Sequence, residues 1–254
     1  MHLPTPDALP DSAAQRAADR GRWLRAFNLS LAFVLVLVAM FSAQRSFDAG
    51  AWMVQPGSLA GLRGLLGAPL LHGSLDHLAA NCFSLLLLGT LAGGMYPRAT
   101  VRALPLVWLG AGLGAWLLGE AGSRHLGASG LTHGLMFLVL VLGLLRRDRP
   151  AIAAALIAFF LYGGMLLTVL PREAGVSWQA HLGGAVAGVL AACAFRRRDP
   201  APPRKRYSWE DEDETFVPAH DELEPPSPHD VPVLWQRPPD EPRGTVLQFR
   251  PRDE

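Results

Sequence analysis

The chain has 254 residues, half of them apolar, and its mean hydropathy is above zero. This apolar composition favours a membrane protein over a soluble domain. The formal charge of +1 hides two opposite segments: residues 1–198 carry 16 basic and 8 acidic side chains, whereas residues 199–254 carry 7 and 14. The basic residues lie in short clusters between apolar runs, unlike the basic face of a nucleic-acid-binding protein. The only cysteines, Cys82 and Cys193, exclude a disulfide scaffold and a Cys-rich zinc site.

Six stretches of the sequence contain no Asp, Glu, Lys or Arg. Each approaches the ~20 residues that a helix needs to cross a hydrocarbon core of ~30 Å. We therefore predict an all-α polytopic membrane protein with six transmembrane helices. The six stretches are Ala26–Gln44, Leu78–Pro97, Ala103–Gly119, Leu126–Leu145, Pro150–Pro171 and Ala174–Phe195.

The basic residues that flank these runs are distributed asymmetrically. Fifteen lie before the first run, between the second and third, between the fourth and fifth, or after the sixth, and four lie in the other three connections. The positive-inside rule therefore predicts that both termini are cytoplasmic. The first set is Arg16, Arg20, Arg22, Arg25, Arg98, Arg102, Arg146, Arg147, Arg149, Arg196, Arg197, Arg198, Arg204, Lys205 and Arg206; the second is Arg45, Arg63, Arg124 and Arg172.

The composition divides the chain into three parts. Residues 1–25 form a polar cytoplasmic segment, too long a leader for a cleaved secretory signal, so we interpret the first run as a retained anchor. Residues 26–198 form the membrane domain. Residues 199–254 are rich in Pro, Asp and Glu, and cannot bury enough apolar surface to offset their conformational entropy. We predict a disordered cytoplasmic tail, which could dock a cytoplasmic partner.

Polar groups inside membrane helices are costly and therefore indicate function. His77 and Asn81 lie four residues apart on one face of the second helix, and Ser129 and His133 have the same spacing on the fourth. His181 belongs to the sixth. His77, Ser129 and His181 all fall near outward-facing helix ends, so the sequence predicts one shared site in the outer part of the membrane.

The residue types at this depth are typical of nucleophilic catalysis. A serine becomes a nucleophile when a neighbouring base accepts its proton, and the histidine pKa suits that task. Small residues recur every four positions beside His181 (Ala180, Gly184, Gly188, Ala192) and beside Ser129 (Gly130, Gly134). Such stripes allow close helix packing, which would bring the serine hydroxyl to the imidazole.

Ser129 follows Gly127 and Ala128 and is expected in the first turn of its helix, where backbone N–H groups are unpaired. Its N–H, together with the side chains of His77 and Asn81, could stabilise a developing oxyanion. The motif is not the G-x-S-x-G elbow of soluble hydrolases, because Leu131 occupies the place of the last glycine.

Together these motifs resemble the signature of rhomboid intramembrane serine proteases: His72, His77 and Asn81 in the second crossing, Gly127-Ala128-Ser129-Gly130 opening the fourth, and Ala180-His181 in the sixth. The resemblance implies a rhomboid-like six-helix bundle that lies in a bacterial inner membrane. It also implies a protease that cleaves single-pass membrane proteins. It assigns Ser129 as nucleophile, His181 as base, and His77 and Asn81 to the oxyanion hole. It implies no acidic third member and no cofactor.

The sequence departs from the family pattern at two places. His133 stands where many members have a tyrosine that packs on the catalytic histidine, and we favour a helix-packing role for it over a catalytic one. The Trp-Arg pair typical of the loop before the second crossing is missing, with Leu62-Arg63 the nearest match. His72 is interpreted as a residue that orders the loop. These departures bear on substrate preference more than on chemistry.

Two other functions remain open from the sequence. One is a non-catalytic protein of the same fold that binds transmembrane helices, although such a protein would not need Ser129 and His181 together. The other is a small transporter in which His77, His133 and His181 relay protons. The absence of acidic residues near the midplane of the six runs disfavours it.

Overall fold

The computed structural model describes residues 13–171 and 175–199. Within these residues the protein is all-helical and has no β-strand, apart from a single bridge between Val54 and His125. The first twelve residues and the predicted tail beyond Asp199 lie outside the described part of the chain. The α-helices are α1 Ala13–Ala43, α2 Gly64–Gly67, α3 Leu75–Met95, α4 Pro97–Leu118, α5 Ser129–Arg146, α6 Arg149–Tyr162 and α7 Trp178–Phe195.

Six of the described helices are long and apolar enough to cross a membrane, which confirms the prediction of six spans. A 3-10 turn, Gly163–Leu166, extends α6 to membrane-spanning length. The first helix begins at Ala13, before the first apolar run, so it includes the cluster of four arginines that precedes that run. The division of the chain into three parts remains a prediction.

Helix α5 is the most deeply buried span and contacts α3, α4, α6 and α7. Glycines allow its close approach to α7. A Cβ atom on Gly184 would overlap the carbonyl oxygen of Gly130, and one on Gly188 would overlap the carbonyl oxygen of Gly134. The two small-residue stripes noted in the sequence therefore face each other, and this contact fixes the relative position of the two helices.

The segment between α1 and α3 is anchored to the α4–α5 connection. Val54 and His125 exchange both backbone hydrogen bonds, at 3.0 and 2.9 Å, and the N–H of Gly127 donates to the carbonyl of Ala68 at 2.8 Å. The indole N–H of Trp116 donates to the carbonyl of Ser58. These bonds hold the residues just before α5 against the rest of the bundle.

Asp199 connects the start of α4 to the end of α5, at the end of the bundle opposite to the α4–α5 connection. Its carboxylate accepts hydrogen bonds from the backbone N–H groups of Arg98 and Ala99, in the first turn of α4. Its carbonyl accepts one from the side chain of Arg146, the last residue of α5. A carboxylate at a helix N-terminus satisfies unpaired N–H groups and interacts favourably with the helix dipole. The end of the described chain is thus bound to α4 and α5.

Candidate active site

Ser129 and His181 form a direct hydrogen bond. Ser129 is the first residue of α5 and His181 lies in the first turn of α7, so both occupy the same end of the bundle. The distance from Ser129 Oγ to His181 Nε2 is 2.8 Å. Backbone contact between Gly130 and Gly184, directly beside the pair, makes this distance attainable.

The other nitrogen of the His181 ring is also bound. His181 Nδ1 lies 3.0 Å from the backbone carbonyl of Thr168. A carbonyl only accepts, so Nδ1 carries the proton and donates it, and the neutral ring presents a lone pair at Nε2. That lone pair faces the hydroxyl of Ser129. Among the described residues no carboxylate hydrogen-bonds His181, so a backbone carbonyl orients the ring where a triad would use an acid.

His133 packs face to face on His181. The ring centroids are 3.9 Å apart and the planes are inclined by 12°. His133 Nδ1 donates to the carbonyl of Ser129 at 2.7 Å, and its Nε2 lies 2.8 Å from the hydroxyl of Thr168. The side chain is almost fully buried. His133 therefore contacts the serine and the histidine together, in addition to the helix packing expected from the sequence.

His77 and Asn81 approach the serine from α3. The amide of Asn81 is buried, and its Nδ2 has no hydrogen-bond partner. Gly127 has φ +113°, and a Cβ there would overlap the His77 imidazole and lie 3.7 Å from Asn81 Nδ2. Both side chains thus adjoin the backbone two residues before Ser129. An unpaired buried donor is costly, so its retention here is consistent with a partner that arrives with substrate.

His72 lies behind His77 rather than beside Ser129. The two rings meet edge to face, with centroids 5.1 Å apart. Burial, with the neighbouring His77 ring, lowers the pKa of His72 to about 4, so the ring is neutral at physiological pH. The Gln44 amide donates to the His72 carbonyl and accepts from its N–H. His72 therefore connects the end of α1 to the site, in line with a loop-ordering role.

A cleft of about 1020 Å³ opens over the pair and is lined by Ser129, His181, His77 and Asn81. Its rim contains His125, whose Nε2 lies 2.9 Å from Ser123 Oγ and whose Nδ1 lies 2.7 Å from Ser177 Oγ. Within residues 13–171 and 175–199, no group of three His, Cys, Asp or Glu side chains is placed to hold a metal ion.

Comparison with known proteins identifies the fold. A model of the Rhomboid domain matches residues 59–198, more than half of the chain. The chain belongs to the rhomboid family. Uncharacterised proteins of Mycobacterium tuberculosis and Mycobacterium bovis are each 38% identical over 218 residues, which is 81% of this chain and 88% of theirs. An uncharacterised protein of Mycobacterium leprae is 40% identical over 152 residues, 57% of this chain and 59% of its own.

Two residues of the candidate site in this rhomboid-family protein were not singled out from the sequence. Thr168 binds His181 through its carbonyl and His133 through its hydroxyl. It is a polar residue inside an apolar run, so the rule that selected Ser129 and Asn81 could have selected it as well. His125 could not have been found in this way, because it precedes the fourth span and its contact with Ser177 joins two distant segments.

Proposed function

We propose that this multi-pass rhomboid-family membrane protein is a serine endopeptidase that cleaves single-pass membrane proteins within the bilayer. The observation that carries the proposal is the 2.8 Å contact between Ser129 Oγ and His181 Nε2, with the opposite ring nitrogen held by the carbonyl of Thr168. A nucleophile, a base within hydrogen-bond reach and a group that orients the base are the parts that acyl transfer requires.

The reaction proceeds in two halves. In the first, Ser129 Oγ attacks the carbonyl carbon of the scissile peptide bond while its proton moves to His181 Nε2. The tetrahedral intermediate collapses, the C–N bond breaks, and the leaving amine takes the proton from His181. In the second half, His181 accepts a proton from water, and the resulting nucleophile attacks the acyl-enzyme ester. Collapse returns the proton to Ser129 and releases the new carboxyl terminus.

Three donors are available for the oxyanion that forms in each half. The N–H of Ser129 has no intrahelical partner, because this residue begins α5. Asn81 Nδ2 is buried and unpaired, and His77 adjoins it one turn away. Donors fixed in position stabilise charge without reorganisation, and one such donor contributes about 3–4 kcal/mol in measured cases.

The orientation and partners follow from the arginine asymmetry and from the cleft. We place both termini in the cytoplasm, in a bacterial inner membrane, with Ser129 near the outer leaflet. The lining of the cleft mixes apolar with polar groups, which suits an extended peptide that has left the helical conformation. Residues 199–254 remain a candidate segment for binding a cytoplasmic partner.

The decisive experiment compares wild-type protein with Ser129→Ala in detergent, using a generic single-pass membrane substrate. Product that appears with wild type and is absent with Ser129→Ala supports the protease. The alternative is a non-catalytic family member that binds transmembrane helices. It is supported if both proteins retain the substrate on co-purification and neither cleaves it. In that case a fluorophosphonate probe should also fail to label Ser129.

A further inference from the structure

An apolar groove lies between α1, α3 and α4 and is also lined by Leu131 and Leu135 of α5; it shares no lining residue with the cleft that contains Ser129. Its volume is about 720 Å³, and its lining is almost entirely carbon. Ser30 against Gly89, and Ala26 against Gly93, bring α1 close to α3 along one wall. Helix α4 forms the facing wall. Since all three helices cross the membrane, the open side of the groove faces lipid.

The length of the groove matches one leaflet. Arg22 and Arg25 line its mouth, and Phe33 lines the deep end, where its ring contacts Trp108 edge to face at 5.9 Å. Eleven helical positions separate Arg22 from Phe33, a rise of about 16 Å at 1.5 Å per residue. Half of a hydrocarbon core of ~30 Å is about the same distance. Measured along α1, the groove therefore spans about the depth of one leaflet.

Polar atoms at the mouth lack partners. The Nε of Arg22 is buried and makes no hydrogen bond, although its Nη1 pairs with Asp19 at 3.1 Å. Thr100, on α4, lines the groove; the residue is only 6% exposed, and its hydroxyl is likewise unpaired. Arg25 is exposed beside them. Two guanidinium groups and a buried hydroxyl thus converge where an acyl chain in the groove would end.

We propose that this groove binds an anionic glycerophospholipid from the leaflet on the side where α1 begins. One acyl chain fills the groove as far as Phe33, the phosphate contacts Arg22 and Arg25, and an ester or phosphate oxygen accepts from the hydroxyl of Thr100. A net negative headgroup is favoured because a zwitterionic lipid brings its own cation to the arginines. The site is separate from Ser129 and does not depend on the proposed proteolysis.

Native mass spectrometry of the full chain tests this, with phosphatidylglycerol or phosphatidylcholine of identical acyl chains added in detergent. Wild type should retain one phosphatidylglycerol in preference to phosphatidylcholine. The double variant Arg22→Gln/Arg25→Gln should weaken phosphatidylglycerol retention by about 25-fold, since each arginine near an anionic surface contributes about fivefold. Thr100→Val, which keeps the shape of the side chain, should weaken retention of both lipids.

The matched control is Arg20→Gln/Arg102→Gln, which removes the same charge from exposed positions outside the groove, one on α1 and one on α4. This control should retain phosphatidylglycerol like wild type. Equal losses in the two double variants would mean general charge attraction and would overturn the site. Equal retention of the two lipids by wild type would overturn the preference for an anionic headgroup. Thermal melting of all variants in detergent identifies any that are misfolded.

Discussion

The imidazole of His133 lies parallel to that of His181, 3.9 Å away, while its Nδ1 donates to the carbonyl of Ser129. One side chain thus touches the proposed base through its face and the proposed nucleophile through its edge. The family resemblance leads one to expect a tyrosine at this position. A histidine provides the stacking with a smaller ring and adds two hydrogen bonds, one to the carbonyl of Ser129 in its own helix and one to the hydroxyl of Thr168.

The first prediction separates stacking from hydrogen bonding at His133. We expect His133→Phe to keep kcat within about threefold, because the aromatic face against His181 remains, whereas His133→Ala should lower kcat about tenfold, the upper range for an aromatic pair. Cleavage rates of a single-pass substrate measure both. If Phe loses as much activity as Ala, the hydrogen bonds to Ser129 and Thr168 orient the base instead.

A second prediction concerns the serine and the histidine as one unit. Ser129→Ala and His181→Ala should each abolish turnover, and the double variant should lose little more, because residues that act together are strongly non-additive. A fluorophosphonate probe should label only Ser129 in the wild type. Independent multiplicative losses would contradict a shared nucleophile and base. Unchanged melting temperatures serve as the control for folding.

Asn81 allows oxyanion stabilisation to be distinguished from helix packing. Its amide nitrogen has no partner, so Asn81→Ala should lower kcat by about 10²-fold with little change in KM. A structural hydrogen bond would instead cost about 0.6–2 kcal/mol of stability. Asn81→Asp should be at least as inactive as Asn81→Ala, since a carboxylate repels the oxyanion. An active but thermally labile Asn81→Ala variant would remove Asn81 from the oxyanion hole.

Gly127 offers a test of the position of His77. A Cβ at this residue would overlap the His77 ring, and φ +113° is unfavourable for alanine. Gly122, with φ +84° and nothing within 4 Å of its Cβ, carries similar backbone strain without a clash. We expect Gly127→Ala to lose most activity and Gly122→Ala to keep it. Equal activity of the two variants would show that His77 can move without consequence.

The orientation in the membrane is a prediction from the arginines alone. A reporter fused after Arg147, at the end of α5, should read cytoplasmic, and one inserted at Gly57, between α1 and α3, should read external. The reporter pair is alkaline phosphatase and green fluorescent protein, which are active on opposite sides. A cytoplasmic result at Gly57 would invert the topology and place Ser129 near the inner leaflet.

The sequence predicts the spans well because the length of an uncharged apolar run is set by the thickness of the bilayer. It does not show where α1 starts, since arginine interrupts an apolar run but favours the helical conformation, and the helix begins at Ala13. The spacing of four residues places Ser129 and His133 on one face. The packing of the helices decides which neighbour that face contacts, so the four-residue spacing alone could not predict the stacking of His133 on His181.

The contacts of Thr168 could not be predicted from the sequence. It follows the 3-10 turn after α6, and the path of that turn decides whether its carbonyl meets α7. Local propensity does not determine such a path. Glycine spacing, by contrast, predicted the approach of α5 to α7, because small residues repeated every four positions allow only a few close helix crossings.

Helix α5 begins with Ser129 and ends with Arg146, which binds both Asp148 and the carbonyl of Asp199. Its 18 residues form a rod about 27 Å long, at 1.5 Å per residue. Sliding this rod along its axis by even 1 Å would stretch the serine–imidazole bond at one end and the arginine contacts at the other. The contacts of Arg146 with Asp148 and Asp199 at one end of α5 thus set the axial position of Ser129 at the other end.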